Sequence, residues 1–187
     1  VMTPEEALAV GAPQIHPHSP NLLLTSNLIK GDADTALGKS SVVIEADFST
    51  QINYQAPLEP EACAAYFEGE GEAAQLVVAG RSIMIHGHAA QLQEALGYKN
   101  LRYREPFSGG QFGIKASITS EAITGAVALH FKRPVHYTPT LWEAMVMTTK
   151  RHPFEMKIKL AADAEGHLTA YLADIVVNKG AYTMLGG

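Results

Sequence analysis

The segment Phe154-Glu155-Met156-Lys157-Ile158-Lys159-Leu160 alternates apolar and charged side chains along its whole length. Such alternation places the apolar side chains on one face of a β-strand. The turn sequence Asp163-Ala164-Glu165-Gly166 and a second strand-like run, Leu168–Val177, follow directly. We therefore predict a β-hairpin. Residues 41–48 alternate in the same way, and Gln75–Ala79 is a short apolar run, so both are predicted to be strands.

Helical spacing of apolar residues appears between these strands. We predict one helix over residues 88–96, which Gly97 ends, and a second over residues 117–131. The apolar face of the second helix consists of Ala122, Ala126 and Leu129. Strands interspersed with helices predict an α/β fold of the α+β type, with mixed sheets and packed helices.

A third helix is predicted after Thr138, which serves as its N-cap with Pro139 in the first turn. Trp142 and Met145 have the spacing of an apolar helix face, so we predict that they belong to the core. Lys150 follows the helix, where a positive charge complements the helix dipole.

The first part of the chain has a different character from the rest. Residues 11–27 contain three prolines and are predicted to form an extended connector, and residues 31–34 are predicted to form a turn. We divide the chain into a connector and N-terminal arm, residues 1–40, and one domain, residues 41–187. The chain begins without Met and stops directly after an apolar segment, so we expect an excerpt whose domain is incomplete at its C-terminal end.

Composition excludes several classes of protein. The 187 residues are 47% hydrophobic and 18% charged, which is typical of a globular domain. A net charge of −5, without a basic run, argues against a nucleic-acid partner. No apolar stretch is long enough to span a membrane. The single cysteine, Cys63, cannot form an internal disulfide or an iron–sulfur site, and we predict a buried thiol.

A glycine-rich segment carries the strongest functional signal. It reads Glu105-Pro106-Phe107-Ser108-Gly109-Gly110-Gln111-Phe112-Gly113-Ile114-Lys115, and we call residues 109–113 the glycine loop. Its spacing matches neither a Walker phosphate loop nor a dinucleotide-binding fingerprint. Glycines permit positive φ and close approach of the backbone to a ligand. The segment is therefore either a tight turn or a loop whose amides bind an anion or an oxo group.

Histidines are the other candidate ligands. His16 with His18, and His86 with His88, are two residues apart, which places both rings on one face if the segment is a strand. Neither pair has a nearby carboxylate or cysteine, so we assign no metal ligand. No arrangement of nucleophile and base is recognisable either, and we assign no catalytic residue.

Four segments together carry a family resemblance. They are Gln55-Ala56-Pro57-Leu58-Glu59-Pro60, the glycine loop with Ile114-Lys115, Arg133-Pro134-Val135 and Arg151-His152-Pro153-Phe154. In this order and at these distances they resemble the molybdopterin-binding region of the molybdenum hydroxylases, the xanthine oxidase family, and most of all its bacterial aldehyde oxidoreductases. The fold would then be part of the large molybdopterin-binding region.

The resemblance implies the oxidation of an aldehyde to a carboxylic acid with oxygen from water. It implies a molybdenum cofactor with a molybdopterin, which we expect in the cytosine dinucleotide form. The 2Fe-2S clusters and the catalytic glutamate would lie in other domains. The cofactor-binding residues implied here are Gly109, Gly110, Gln111, Phe112 and Gly113. The amide of Phe112 would lie beside the apical oxygen of the metal, and the loop before Leu58-Glu59-Pro60 would face the same centre.

The chain departs from the family pattern at several positions. Gln111 replaces a glycine, Asn53 falls where many members have a glutamine, and Arg81-Ser82-Ile83 replaces a Ser-Thr-Gln. Ala116 replaces the glutamate of purine-hydroxylating members, and an apolar side chain cannot orient a purine by hydrogen bonds, so we predict aldehydes over purines.

Further expectations concern partners and alternatives. We expect an aldehyde substrate, the remaining domains of the same polypeptide, an electron-acceptor protein and a homodimer, in the cytoplasm rather than the periplasm. Two alternatives stay open. One is a non-catalytic α+β interaction domain, and the other is a purine or carbon monoxide hydroxylase of the same family.

Overall fold

The computed structural model of the protein describes residues 3–182, apart from the side chain of Glu72. The terminal residues 1–2 and 183–187, on which the expectation of an excerpt depends, lie outside the described residues. In chain order the elements are α1 (Pro4–Leu8), α2 (Ala33–Lys39), β1 (Val42–Ser49), β2 (Cys63–Glu68), β3 (Gln75–Ala79), α3 (Ile85–Leu96), β4 (Leu101–Arg104), α4 (Thr119–Phe131), β5 (Val135–Tyr137), α5 (Leu141–Met147), β6 (Phe154–Ala162) and β7 (Leu168–Val177). Short 3-10 turns occupy Gly71–Ala73 and Ile114–Ala116.

The chain forms two compact units. The first consists of the residues up to Asn53 and from His152 onward, and it contains an antiparallel sheet in the order β1-β6-β7. β6 and β7 form the predicted hairpin. In its turn, the Asp163 carboxylate accepts hydrogen bonds from the backbone N–H groups of Glu165 and His167, and Gly166 takes a φ of +87°. These contacts explain why the alternating pattern predicted this hairpin correctly.

The second unit, Tyr54–Arg151, contains a mixed sheet in the order β4-β3-β2-β5. β3 and β4 are parallel and are connected through α3, whereas β2 is antiparallel to both of its neighbours. α3 and α4 contribute Leu92 and Ala128 to the core of this unit. Its other buried members come from the sheet: Ala65, Leu76, Val78, Leu101 and Tyr103. The α+β class is therefore confirmed.

Several predicted helices have different bounds or different buried faces. α3 begins at Ile85, three residues before its predicted start, so His86 and His88 lie on a helix and not on a strand. α4 buries Glu121, Thr124, Gly125 and Ala128, while Ala126 of the predicted apolar face is exposed. Small residues on the buried face let α4 lie close to the sheet. The apolar residues predicted for this helix did not indicate that face. Asp32 caps α2, so the predicted turn at residues 31–34 leads into a helix.

The predictions for α5 need two corrections. Thr140, not Thr138, is the N-cap, because its hydroxyl accepts from the Glu143 N–H while the Glu143 carboxylate accepts from the Thr140 N–H. The predicted core residues Trp142 and Met145 are 71% and 50% exposed. Apolar spacing does not specify whether a helix face packs within the same unit. No helix among residues 3–182 is long and apolar enough to cross a membrane.

Candidate functional site

The glycine loop lies between β4 and the 3-10 turn Ile114–Ala116, on the second unit. Its last two residues both take positive φ, +47° at Phe112 and +94° at Gly113. This conformation is uncommon for a residue with a bulky side chain, and such strain is concentrated at functional sites. The Phe112 side chain is 72% exposed. The loop therefore has an exposed aromatic ring and two residues with left-handed backbone conformation at the surface of the unit.

Three consecutive backbone amides of the loop have no acceptor within the described part of the chain. Among residues 3–182, nothing accepts a hydrogen bond from the N–H groups of Gly110, Gln111 or Phe112. The flanking amides are engaged, since Gly109 donates to the Glu59 carboxylate at 3.0 Å and Gly113 donates to the Gln111 side-chain oxygen at 2.7 Å. Adjacent free donors of this kind form a concave site for an anion or an oxo group.

Gly110 provides room for the Phe112 ring. A Cβ atom at Gly110 would lie 3.0 Å from Cε2 of that ring, at the limit of what real contacts reach. Any larger residue would displace the ring or the backbone beside the three free amides. A larger residue at this position would therefore crowd the exposed Phe112 ring, which would have to shift by a few tenths of an ångström.

An ion pair between a buried lysine and a partly exposed glutamate, 29% exposed, holds the start of the glycine loop. The side chain of Lys115 is only 2% exposed, and its ammonium group pairs with the Glu59 carboxylate. Burial raises the pKa of Glu59, but hydrogen bonds from Lys115 and Gly109 outweigh it, so the pKa lies below its usual range. Sequence reasoning missed this pair. Two signals were available: Lys115 lies between two apolar residues, Ile114 and Ala116, and the segments with Glu59 and Lys115 belong to the same family resemblance.

A second buried polar group involves the segment Arg81-Ser82-Ile83. The Arg81 guanidinium pairs with Glu61, and both side chains are buried. The Arg81 N–H donates to Glu121 at 3.2 Å, and the Tyr103 hydroxyl also donates to Glu121, at 3.3 Å. Burial raises the pKa of Glu121. These contacts fix the end of β3.

The chain matches the molybdopterin cofactor-binding domain over residues 15–187. The chain belongs to this family. It is 32% identical to an aldehyde oxidoreductase of Megalodesulfovibrio gigas, over 99% of this chain and 20% of the relative. It is 28% identical to the large molybdopterin subunit of a nicotinate dehydrogenase of Eubacterium barkeri, over 100% of this chain and 43% of the relative.

Its fold is similar to the crystal structure of an aldehyde oxidoreductase from Desulfovibrio desulfuricans, with a TM-score of 0.78 and 32% identity. The similarity covers 94% of this chain and 20% of that structure. The chain is therefore part of the molybdopterin-binding region of the xanthine oxidase family. It spans about a fifth of the length of the aldehyde oxidoreductases that it resembles.

The residues of the glycine loop fit the cofactor that this family binds. Its phosphate and oxo oxygens require donors, and the free amides of Gly110, Gln111 and Phe112 provide them in one place. The Gln55 side-chain oxygen, in the segment that leads to Glu59, is buried and accepts no hydrogen bond from any described residue. A buried acceptor without a donor is rare in proteins and is expected where a ligand is missing.

The histidines of the chain have other roles. The His88 ring is buried, with Nε2 donating to the Ala116 carbonyl at 3.1 Å and Nδ1 lying 2.7 Å from the Ser82 hydroxyl. Both ring nitrogens are therefore engaged. His16 lies in the first unit, where its ring contacts the Ala181 carbonyl. Within residues 3–182 there is no group of three or more His, Cys, Asp or Glu side chains that could hold a metal ion.

Two further predictions are confirmed. Cys63 is buried, and its sulfur lies 2.9 Å from the Thr124 hydroxyl. Burial raises the pKa of the Cys63 thiol to about 11. Lys150 complements the end of α5, since its ammonium group contacts the carbonyls of Ala144 and Thr148.

Proposed function

We propose that the chain is the molybdenum-cofactor-binding segment of an aldehyde oxidoreductase, which oxidises aldehydes to carboxylic acids with oxygen from water. The observation that carries the proposal is the row of three free amides at Gly110, Gln111 and Phe112. The bound cofactor supplies the redox chemistry. The residues of this chain hold and orient it, and no acid or base of the chain takes part, because the catalytic glutamate belongs to another part of the enzyme.

The proposed cofactor-binding residues are Gly109, Gly110, Gln111, Phe112 and Gly113. In this proposal the free amide of Phe112 would donate to an oxygen of the bound cofactor, and its exposed ring would lie against the cofactor. The Gln111 side-chain oxygen accepts from the Gly113 N–H, and its amino group, which has no acceptor among the described residues, would be a further donor to the cofactor. Gly109 and Gly113 set the path of the backbone at the two ends.

Substrate choice is the finer part of the proposal. Ala116 is buried and presents only a methyl group where purine-hydroxylating members have a glutamate. Two of the similar proteins are aldehyde oxidoreductases. Another is a nicotinate dehydrogenase subunit, so a heterocyclic substrate is the alternative. We expect the full-length enzyme to oxidise benzaldehyde or acetaldehyde and to leave xanthine unchanged, since no side chain at position 116 can bind a purine.

Several properties of the whole enzyme stay predictions. They are the cytosine dinucleotide form of the pterin, 2Fe-2S clusters in other domains, an electron-acceptor protein, a homodimer and a location in the cytoplasm. The division of the chain into an arm, residues 1–40, and a domain, residues 41–187, also stays a prediction.

The proposal is tested by metal and pterin analysis of the purified full-length protein. We expect stoichiometric molybdenum in the wild type and loss of most of it in Gly110→Val, because the new side chain collides with the Phe112 ring beside the free amides. Gly38→Val is the matched control, since a Cβ atom at Gly38 meets nothing within 4 Å. Well-folded wild-type protein without molybdenum and pterin would contradict the proposal and favour a non-catalytic interaction domain.

A further inference from the structure

We propose that Glu59 and Lys115 are positioning residues that hold the glycine loop in the shape in which its three free amides point to the ligand. The inference rests on the proposed function for the identity of that ligand. It concerns residues that do not themselves touch the cofactor. Their role is to fix the backbone at Gly109, directly before the amides that do.

Lys115 joins the two sides of the loop. Its ammonium group donates to the Glu59 carboxylate, to the Ser108 hydroxyl at 2.9 Å and to the Gly109 carbonyl at 3.0 Å. A lysine has three donors, and all three are used. Two of the acceptors lie at the start of the loop, while Lys115 itself follows its end. The ammonium group therefore links the residues at the start of the loop to the residue that follows its end.

Glu59 also binds Gly109, through its backbone N–H. One oxygen, Oε2, accepts from both the Lys115 ammonium and the Gly109 N–H, the latter at 3.0 Å. Gly109 is thus bound at its N–H by Glu59 and at its carbonyl by Lys115. A Cβ atom at Gly109 would lie 3.2 Å from the Glu59 Cβ, so the close approach depends on glycine here. With both polar groups of Gly109 engaged, the backbone is fixed directly before the three free amides.

The energetics favour a positional role over a purely stabilising one. Burial of the Lys115 ammonium costs free energy that its attraction to the partly exposed Glu59 carboxylate only partly recovers, so such a pair often adds little net stability. A hydrophobic pair in the same place would not bind the N–H and carbonyl groups of Gly109. The pair supplies charged hydrogen bonds to the backbone, which are stronger than neutral ones.

The test uses the full-length protein with three variants: Lys115→Met, Glu59→Ala and Glu59→Gln. The matched control is Arg102→Met with Glu68→Gln, an exposed ion pair of the same unit. Amide hydrogen exchange is measured on the peptide that contains Gly109, together with molybdenum content and thermal unfolding. Loss of one charged hydrogen bond should accelerate exchange about tenfold in Lys115→Met and Glu59→Ala.

Glu59→Gln separates positioning from general destabilisation. Its amide oxygen can still accept from the Gly109 N–H, so we expect exchange and molybdenum content between those of the wild type and of Glu59→Ala. If the role were merely structural, the loss of cofactor in all three variants would follow the fall in their unfolding temperature. The Gly109 peptide would then exchange as fast in Glu59→Gln as in Glu59→Ala. That result would overturn the inference.

The outcomes also separate this inference from the proposed function. Wild-type protein without molybdenum overturns the function, while the exchange rates still decide whether the ion pair fixes the loop. Loaded wild-type protein whose variants keep both its exchange rate and its molybdenum overturns the inference and leaves the function intact. If Lys115→Met fails to fold, Glu59→Gln alone provides the exchange and loading comparison.

Discussion

Cys63 shows how the environment of one residue controls its chemistry. Its thiol is buried on β2 beside Thr124, and burial raises its pKa from 9.0 to about 11. The folded state favours the neutral thiol. The contribution of Cys63 to the free energy of unfolding is therefore complete below pH 9 and is lost as the pH rises through about 11. The thiolate is the reactive form, so this cysteine is expected to be inert at neutral pH.

Alkylation of the Cys63 peptide in the full-length protein tests this expectation. At pH 8 the native thiol should react with iodoacetamide at least about 100-fold more slowly than in urea, because a pKa two units higher lowers the thiolate fraction by that factor. Mass spectrometry of the peptide gives both rates. Equal rates in native and unfolded protein would show that Cys63 is accessible and ionised, contrary to the structure.

At the scale of elements, α4 depends on a glycine for its position. A Cβ atom at Gly125 would lie 2.9 Å from Leu96 Cδ1 on α3 and 3.6 Å from Val78 Cγ2 on β3. Gly125→Val should therefore lower the free energy of local opening of α4 by about 1–3 kcal/mol, the usual effect of overpacking a core. Native-state hydrogen exchange of α4 in the full-length protein measures it.

Gly87→Val on α3 is the matched control for this prediction. Gly87 is exposed, and the nearest atom to its added Cβ would be Met84 Cβ at 3.7 Å, an ordinary contact. We expect a change of less than about 0.5 kcal/mol there. If Gly125→Val were equally neutral, α4 would not pack against α3 and β3 as closely as the structure has it.

The elements also show what the sequence can and cannot predict. β1 and β6 alternate, β7 is a long apolar run that follows a local turn sequence, and so the local pattern alone was sufficient. β4 and β5 were missed because strands of 4 and 3 residues carry too little periodicity and form only by pairing with distant partners. Their pairing is a tertiary property of the second unit.

The same limit applies to the candidate site. The glycine loop could be found from its composition, because closely spaced glycines permit positive φ and close approach of the backbone to a ligand. The pair Glu59–Lys115 could not, since the two residues are 56 positions apart and their separate segments do not specify that the two side chains meet. Only the fold of the second unit brings them together beneath Gly109.

At the scale of the whole molecule, α5 carries an apolar surface that its own unit does not cover. The side chains of Leu141, Trp142, Met145 and Val146 are all exposed. Apolar clusters of this kind mark interaction surfaces. The chain spans about a fifth of the length of the aldehyde oxidoreductases that it resembles, so we expect the rest of the same polypeptide to cover this surface in the full-length enzyme.

Hydroxyl-radical footprinting of the full-length protein tests this coverage. Trp142 and Met145 react readily when exposed, so burial under another domain should slow their oxidation at least about fivefold relative to the same peptide in urea, as expected for an apolar domain interface. Trp142→Asp should then weaken that interface and raise the oxidation of Met145, because it places a charge in a desolvated contact. Glu94→Gln, an exposed position of α3, is the control and should leave the rate unchanged. Oxidation of native Trp142 at the unfolded rate would mean that α5 faces water in the complete enzyme.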